Sequence, residues 1–115
     1  AAALASVGIG ILRGLGLGGA EASRAVAGLL HSVAENVDRI GLPSSLTGPI
    51  ARGDAHTVRR HREALRASPA ALDAYDRIGP LILNCAREAG LDEEAAARIE
   101  GALRASFDGP GDEAS

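Results

Sequence analysis

Residues 41–67 read GLPSSLTGPIARGDAHTVRRHREALRA, the one informative loop of the chain followed by a helix start. Two prolines and three glycines fall within residues 41–53, a density that supports neither helix nor strand. Leu46 and Ile50 keep this loop packed on the body. Asp54 then stands as an N-cap, its carboxylate placed to accept from backbone N–H groups of the next turn. The helix it opens, about residues 55–67, carries Val58, His61 and Leu65 on one stripe.

Upstream, about residues 20–40 form a helix with Val26, Leu29, Leu30, Val33, Val37 and Ile40 at helical spacing and charges on its other faces. Gly41 and Pro43 stop it. A first helix covers about residues 2–15. Its glycines Gly10, Gly14 and Gly18 recur every four residues, a groove of bare backbone that predicts tight contact with another helix at some expense in propensity. Downstream, Ser68 caps and Pro69 opens a helix to about residue 89, with Leu72, Tyr75, Ile78, Ile82, Cys85 and Ala89 as its stripe. Pro80 cannot donate to the carbonyl of Asp76, which predicts a kink or break. Gly90 ends this helix. Asp92 caps a fifth, to about residue 106, with Leu91, Ala95, Ile99, Ala102 and Leu103 inward. No strand pattern and no internal repeat emerge. The expectation is an all-α fold of about five helices, a single domain over residues 1–107, and a disordered tail over 108–115.

Composition narrows the function. Of 115 residues 46% are hydrophobic and 23% charged, as in soluble globular proteins. With no Trp, no Met, one Phe and one Tyr, the core is built from small aliphatic residues. That predicts marginal stability, completed by a partner, a second copy or another domain. A net charge of −3 gives nucleic acid or an anionic membrane no global attraction. A single cysteine excludes an internal disulfide and suits a reducing cytoplasm. The apolar start is short for a membrane span, is interrupted by Arg13 and lacks the charged beginning of a signal peptide. Beginning Ala-Ala-Ala-Leu-Ala in helical register, it reads as the cut end of a helix.

Several motifs reduce to local structure. Residues 14–19 spell GxGxxG, but the next helix leads into a Pro/Ser loop, not into the second strand of a dinucleotide fold. Arg52-Gly53-Asp54 spells an adhesion tripeptide, yet Asp54 already has a capping role. His56, Arg59, Arg60, His61, Arg62 and Arg66 make the third helix the most basic. They form either a face paired with acids of a neighbouring helix or an anion site at the helix start. His56 and His61 are five apart, a poor spacing for a shared metal, and no metal site is expected. Cys85 reads as a small hydrophobe.

The string Leu46-Thr47-Gly48-Pro49-Ile50-Ala51-Arg52-Gly53-Asp54, with Thr57-Val58 and His61 after it, resembles the signature of a helical domain found C-terminal to a Rossmann-like domain. The parent proteins are a poorly characterised oxidoreductase family related to ketopantoate reductase, pyrroline-5-carboxylate reductase and 6-phosphogluconate dehydrogenase. The likeness extends back through Leu29 to Gly41, with Glu35-Asn36, and forward to Tyr75.

The resemblance implies a fold like the C-terminal domain of 6-phosphogluconate dehydrogenase, one that walls a substrate cleft and builds a homodimer. It implies a small carbonyl or imine substrate. NAD(P) is implied only through a Rossmann domain in cis, and no cofactor is expected in this chain. Arg52, Asp54, Thr57 and His61 become the candidate substrate-binding residues, with Arg52 suited to a carboxylate and Asp54 holding the turn. Members of this family carry a Ser-Asn pair in the first helix, where the polar residue would orient a substrate carbonyl; here Ser6 is followed by Val7. The competing expectation is a stand-alone helical protein, either a cofactor-independent enzyme using Arg52 and His61 or an interaction module.

Overall fold

Helix α1 (Ala2–Gly14) and helix α2 (Gly19–Ile40) form a hairpin at one edge of the molecule. After the loop come a single helical turn, α3 (Pro49–Arg52), then α4 (Ala55–Leu65), α5 (Pro69–Glu88) and α6 (Glu93–Arg104). The computed structural model describes residues 1–107, and all their regular structure is helical. The expected tail, residues 108–115, lies outside the described residues.

The helices form a slab of 52 × 39 × 18 Å. Helix α2 packs chiefly on α1, α1 on α5, and α5 on α6, with α3 and α4 closing the other side. The core lies in that second half. Val58, Leu83 and Ile99 are its largest fully buried side chains, and Ile50, Ala96, Ala102 and Leu103 surround them.

Two glycines permit this packing. Gly53 ends α3 in the left-handed region (φ 71°), where an added Cβ would stand 2.9 Å from Ala95 Cβ. Gly79 lies under Leu103, whose Cδ2 would be 2.7 Å from its Cβ.

Four expectations need correction. The loop over residues 41–53 is not wholly irregular: Pro49, with its φ pre-set and no donor to waste, opens the short α3. Helix α5 runs unbroken through Pro80, because Gly79, Leu83 and Ala86 are buried on that helix and tertiary packing outweighs one lost backbone bond. Its buried face is also rotated from the expected one. Ala71, Gly79, Leu83 and Ala86 are inside while Cys85 is exposed, since α5 divides its apolar surface between α6 and α1.

The glycine groove is the fourth. Gly10, Gly14 and Gly18 face open space; on α1 it is Gly8 that meets α2, where an added Cβ would lie in ordinary contact with Val26 Cγ2 at 3.5 Å.

Candidate functional site

Asp54 and Thr57 close on each other. The Asp54 carboxylate accepts from the Thr57 backbone N–H at 3.0 Å and from the Thr57 hydroxyl at 2.7 Å. Those two bonds hold its carboxyl below the ordinary carboxylate range. Asp54 is therefore a cap that fixes the start of α4, and Thr57 its partner. Arg52, at the end of α3, is exposed and has no ion pair among the described residues.

His61, expected on the apolar stripe with Val58 and Leu65, lies off it and is exposed. Its Nδ1 shares a hydrogen bond of 3.2 Å with the Tyr75 hydroxyl, and the two rings meet edge to face with centroids 5.9 Å apart. Helix α4 supplies one ring and α5 the other. Burial pushes the Tyr75 phenol above its ordinary value, so it stays protonated at neutral pH.

Tyr75 also lines an open groove of about 270 Å³ between α1 and α5. Val7 and Ile11 of α1, Ile50 of α3, Leu65 of α4 and Ile78 of α5 form its walls. Every lining residue is apolar or glycine except Tyr75, the one residue of the lining whose side chain carries a polar group. Such a concavity, apolar with one placed polar group, has the general form of a small-molecule site. Val7 of α1 is among its lining residues. Of the four expected residues, then, His61 reaches the groove's polar end through Tyr75, Asp54 and Thr57 are occupied in a cap, and Arg52 stands on the helical turn that contributes Ile50.

The most organised polar cluster is elsewhere and centres on Arg62, only 6% exposed. Its Nε and Nη2 donate to the two carboxylate oxygens of Asp76 at 2.8 and 3.0 Å, and its Nη1 donates to the carbonyls of Ala102 and Ala105 at 3.0 and 2.8 Å. The fork thus pins α4 to α5 and satisfies carbonyls at the end of α6, which lack partners in any helix. The pairing raises the Arg62 pKa further.

Both Arg62 and Arg66 place their guanidinium carbons over the Phe107 ring, at 4.8 and 4.7 Å. The basic face of α4 is thereby resolved. Arg62 pairs with a neighbouring helix, Arg66 with Glu63 of its own helix at 2.9 Å, and Arg59 and Arg60 remain exposed. One signal pointed to Arg62: it stands four residues after Val58 and three before Leu65, on the stripe assigned to His61.

The GxGxxG string of residues 14–19 does not stand in the strand–turn–helix setting of a dinucleotide fingerprint. Residues 14–19 join two helices, and residues 7–12, which precede the glycines, are helical rather than the strand such a turn needs. No three His, Cys, Asp or Glu side chains gather as a metal set among the described residues. No helix there is long and apolar enough to cross a membrane.

Searches of the curated proteins and of the solved structures return no match to this chain. One family signature does match, over residues 1–82. That span ends at Ile82, the last residue of the groove lining, and leaves out α6 with its Arg62-bound carbonyls. Its description is a domain of unknown function (DUF2520), and this chain belongs to that family.

Proposed function

We propose that this chain is the helical substrate-cleft and dimerisation domain of an NAD(P)-dependent Rossmann-like oxidoreductase acting on a small carbonyl or imine substrate. The observation that carries the reading is the groove between α1 and α5, with Tyr75 as the one lining residue whose side chain carries a polar group and His61 behind it. In the tautomer where His61 Nδ1–H donates to the phenol oxygen, the neutral Tyr75 hydroxyl keeps its own proton to donate to a carbonyl oxygen or imine nitrogen. Val7, at the position of the related family's substrate-orienting Asn, lines the same groove, leaving Tyr75 to take that orienting task. Arg52, exposed nearby in α3, would meet a substrate carboxylate. No nucleotide contact is assigned to this chain; hydride chemistry belongs to a Rossmann domain in cis.

One further feature supports the self-association part. Helix α1 is apolar on nearly every face, yet none of its residues is fully buried, whereas such helices normally lie inside a larger assembly.

A second reading, a stand-alone interaction module, draws support from Asp54 and Thr57, whose polar groups are spent on each other.

The test is a titration of ¹⁵N-labelled protein with a short-chain 2-oxo acid and with a cyclic imine carboxylate. Shifts confined to the amides around Val7, Ile50, His61 and Tyr75, weakened at least tenfold by Tyr75→Phe or Arg52→Gln, are expected. Absence of shifts at tens of millimolar ligand, or shifts indifferent to both substitutions, would favour the interaction module.

A further inference from the structure

Helix α2 carries more aliphatic surface than its own chain covers. Ala22 and Val26 are buried, and the same face continues through Leu29, Val33, Asn36 and Ile40 at steps of three and four. That rhythm is how one helix packs along another. Helix α1, nine residues shorter, covers only the first part. Beyond it Leu29 is 64% exposed, Leu30 42%, Val33 50%, Val37 39% and Ile40 50%, with Leu42 at 67% in the turn beyond the helix.

The charged residues of the helix, Glu21, Arg24, Glu35, Asp38 and Arg39, lie outside this stripe, with His31 Nε2 3.2 Å from Glu35 Oε1 and Arg39 Nη2 reaching to Asn36 Oδ1 at the stripe's edge, 3.3 Å away. Ala25 and Ser32 flank the stripe on one side and Ala27 and Ala34 on the other, side chains small enough to admit a close neighbour.

We infer that this face binds the same face of a second copy, with the two α2 helices antiparallel, Leu29 of each beside Ile40 of the other and Val33 beside Asn36. The inference rests on the self-association part of the proposal above and names the surface that performs it. An uncharged stripe offers no complement to an acidic or basic partner, and it meets its own copy without like-charge repulsion. A two-fold contact is self-complementary, and the antiparallel sense sets the helix dipoles head to tail. Asn36, half-buried, accepts from Arg39 Nη2 of its own helix at 3.3 Å, so its side-chain oxygen keeps a partner when it meets Val33 of the second copy.

The area also suffices. At ~100 Å² per side chain, about half exposed, the twelve aliphatic chains of a pair remove on the order of 600 Å² of apolar surface. Since apolar atoms make up about 57% of a typical interface, the whole contact is about 1,000 Å², at the lower end of specific association. A weak dimer that dissociates on dilution is the consequence.

The experiment is light scattering on the full chain over a dilution series from ~100 μM. The expected mass at high concentration is twice the 11.6 kDa of the chain. Val33→Glu, at a half-exposed site, should halve that mass with helical content unchanged. Leu81→Glu, at a somewhat more exposed site on α5 (60%), should leave it intact.

With Cys85→Ser removing the native thiol, the double variant Leu29→Cys/Ile40→Cys should cross-link between chains on mild oxidation, and neither single variant should. A wild-type monomer at ~100 μM overturns both the dimer and this surface, and leaves the face to another domain. A dimer that survives Val33→Glu, or dissociates with Leu81→Glu, overturns the surface alone. Cross-linking by either single variant overturns the antiparallel arrangement.

Discussion

Replacing Arg62 by Met removes the fork that joins α4, α5 and the end of α6 while keeping an unbranched side chain of similar length. Four hydrogen bonds are lost, two to Asp76 and two to the carbonyls of Ala102 and Ala105. Removing one partner of a buried ion pair costs about 3–5 kcal/mol, because the other charge is left uncompensated. Here the Asp76 side chain is 32% exposed, so water recovers part of its solvation and the loss falls at the lower end, about 3 kcal/mol. That is somewhat more than a hundredfold in the folding equilibrium, and roughly 10–20 °C in Tm for a domain of this size.

Urea unfolding followed by far-ultraviolet circular dichroism measures it directly. A loss below about 1 kcal/mol would refute the assignment of Arg62 as the joint of the fold. The Arg62→Met/Asp76→Asn double variant adds an internal check: it should be less destabilised than the two single losses summed, since both ends of the pair are then neutral.

Three further outcomes are expected. Gly79→Ala brings a Cβ to 2.7 Å from Leu103 Cδ2; overpacking of about 1–3 kcal/mol exceeds the ~1 kcal/mol gained in helix propensity. A net loss near 1 kcal/mol should appear in the same urea assay, and a stabilised variant would mean that Leu103 yields freely. The Asp54 carboxyl is held low by Thr57, so the unfolded chain takes up its proton first as pH falls. Its stabilisation is therefore present above about pH 4, the unfolded value, and is lost below it. Asp54→Asn should flatten this acid limb of the urea midpoint, and parallel curves for the two proteins would remove the capping account. Tyr75 is the single tyrosine and there is no tryptophan, so ultraviolet absorbance reports its phenol alone. Burial raises its pKa; the native titration should come above about 10, with stability lost as pH rises through that raised value. A midpoint at or below 10 would contradict the burial of Tyr75 in the groove.

The starts and stops of the longer helices depend on neighbours a few residues apart, and the sequence by itself determined them, though not the short α3 or the passage of α5 through Pro80. Asp54 and Asp92 cap where their spacing says, Gly41 stops α2, and the α6 stripe of Ala95, Ile99, Ala102 and Leu103 is the one that is buried. Of the candidate site, the Asp54–Thr57 turn was readable for the same reason.

Which apolar face finds a cover was decided by tertiary structure alone. The stripe from Leu29 to Ile40 has the periodicity of a core and stands exposed, while Leu83, outside the expected stripe of α5, is 1% exposed. Periodicity records that a helix has an apolar side, not whether another helix reaches it. The same limit hid Arg62 among its basic neighbours and placed His61 inward. Arg62 is singled out by Asp76, fourteen positions away, and by Ala105, forty-three away, and the groove exists only where α1, α3, α4 and α5 meet. Contacts at such separations depend on how whole helices pack, which no local pattern encodes.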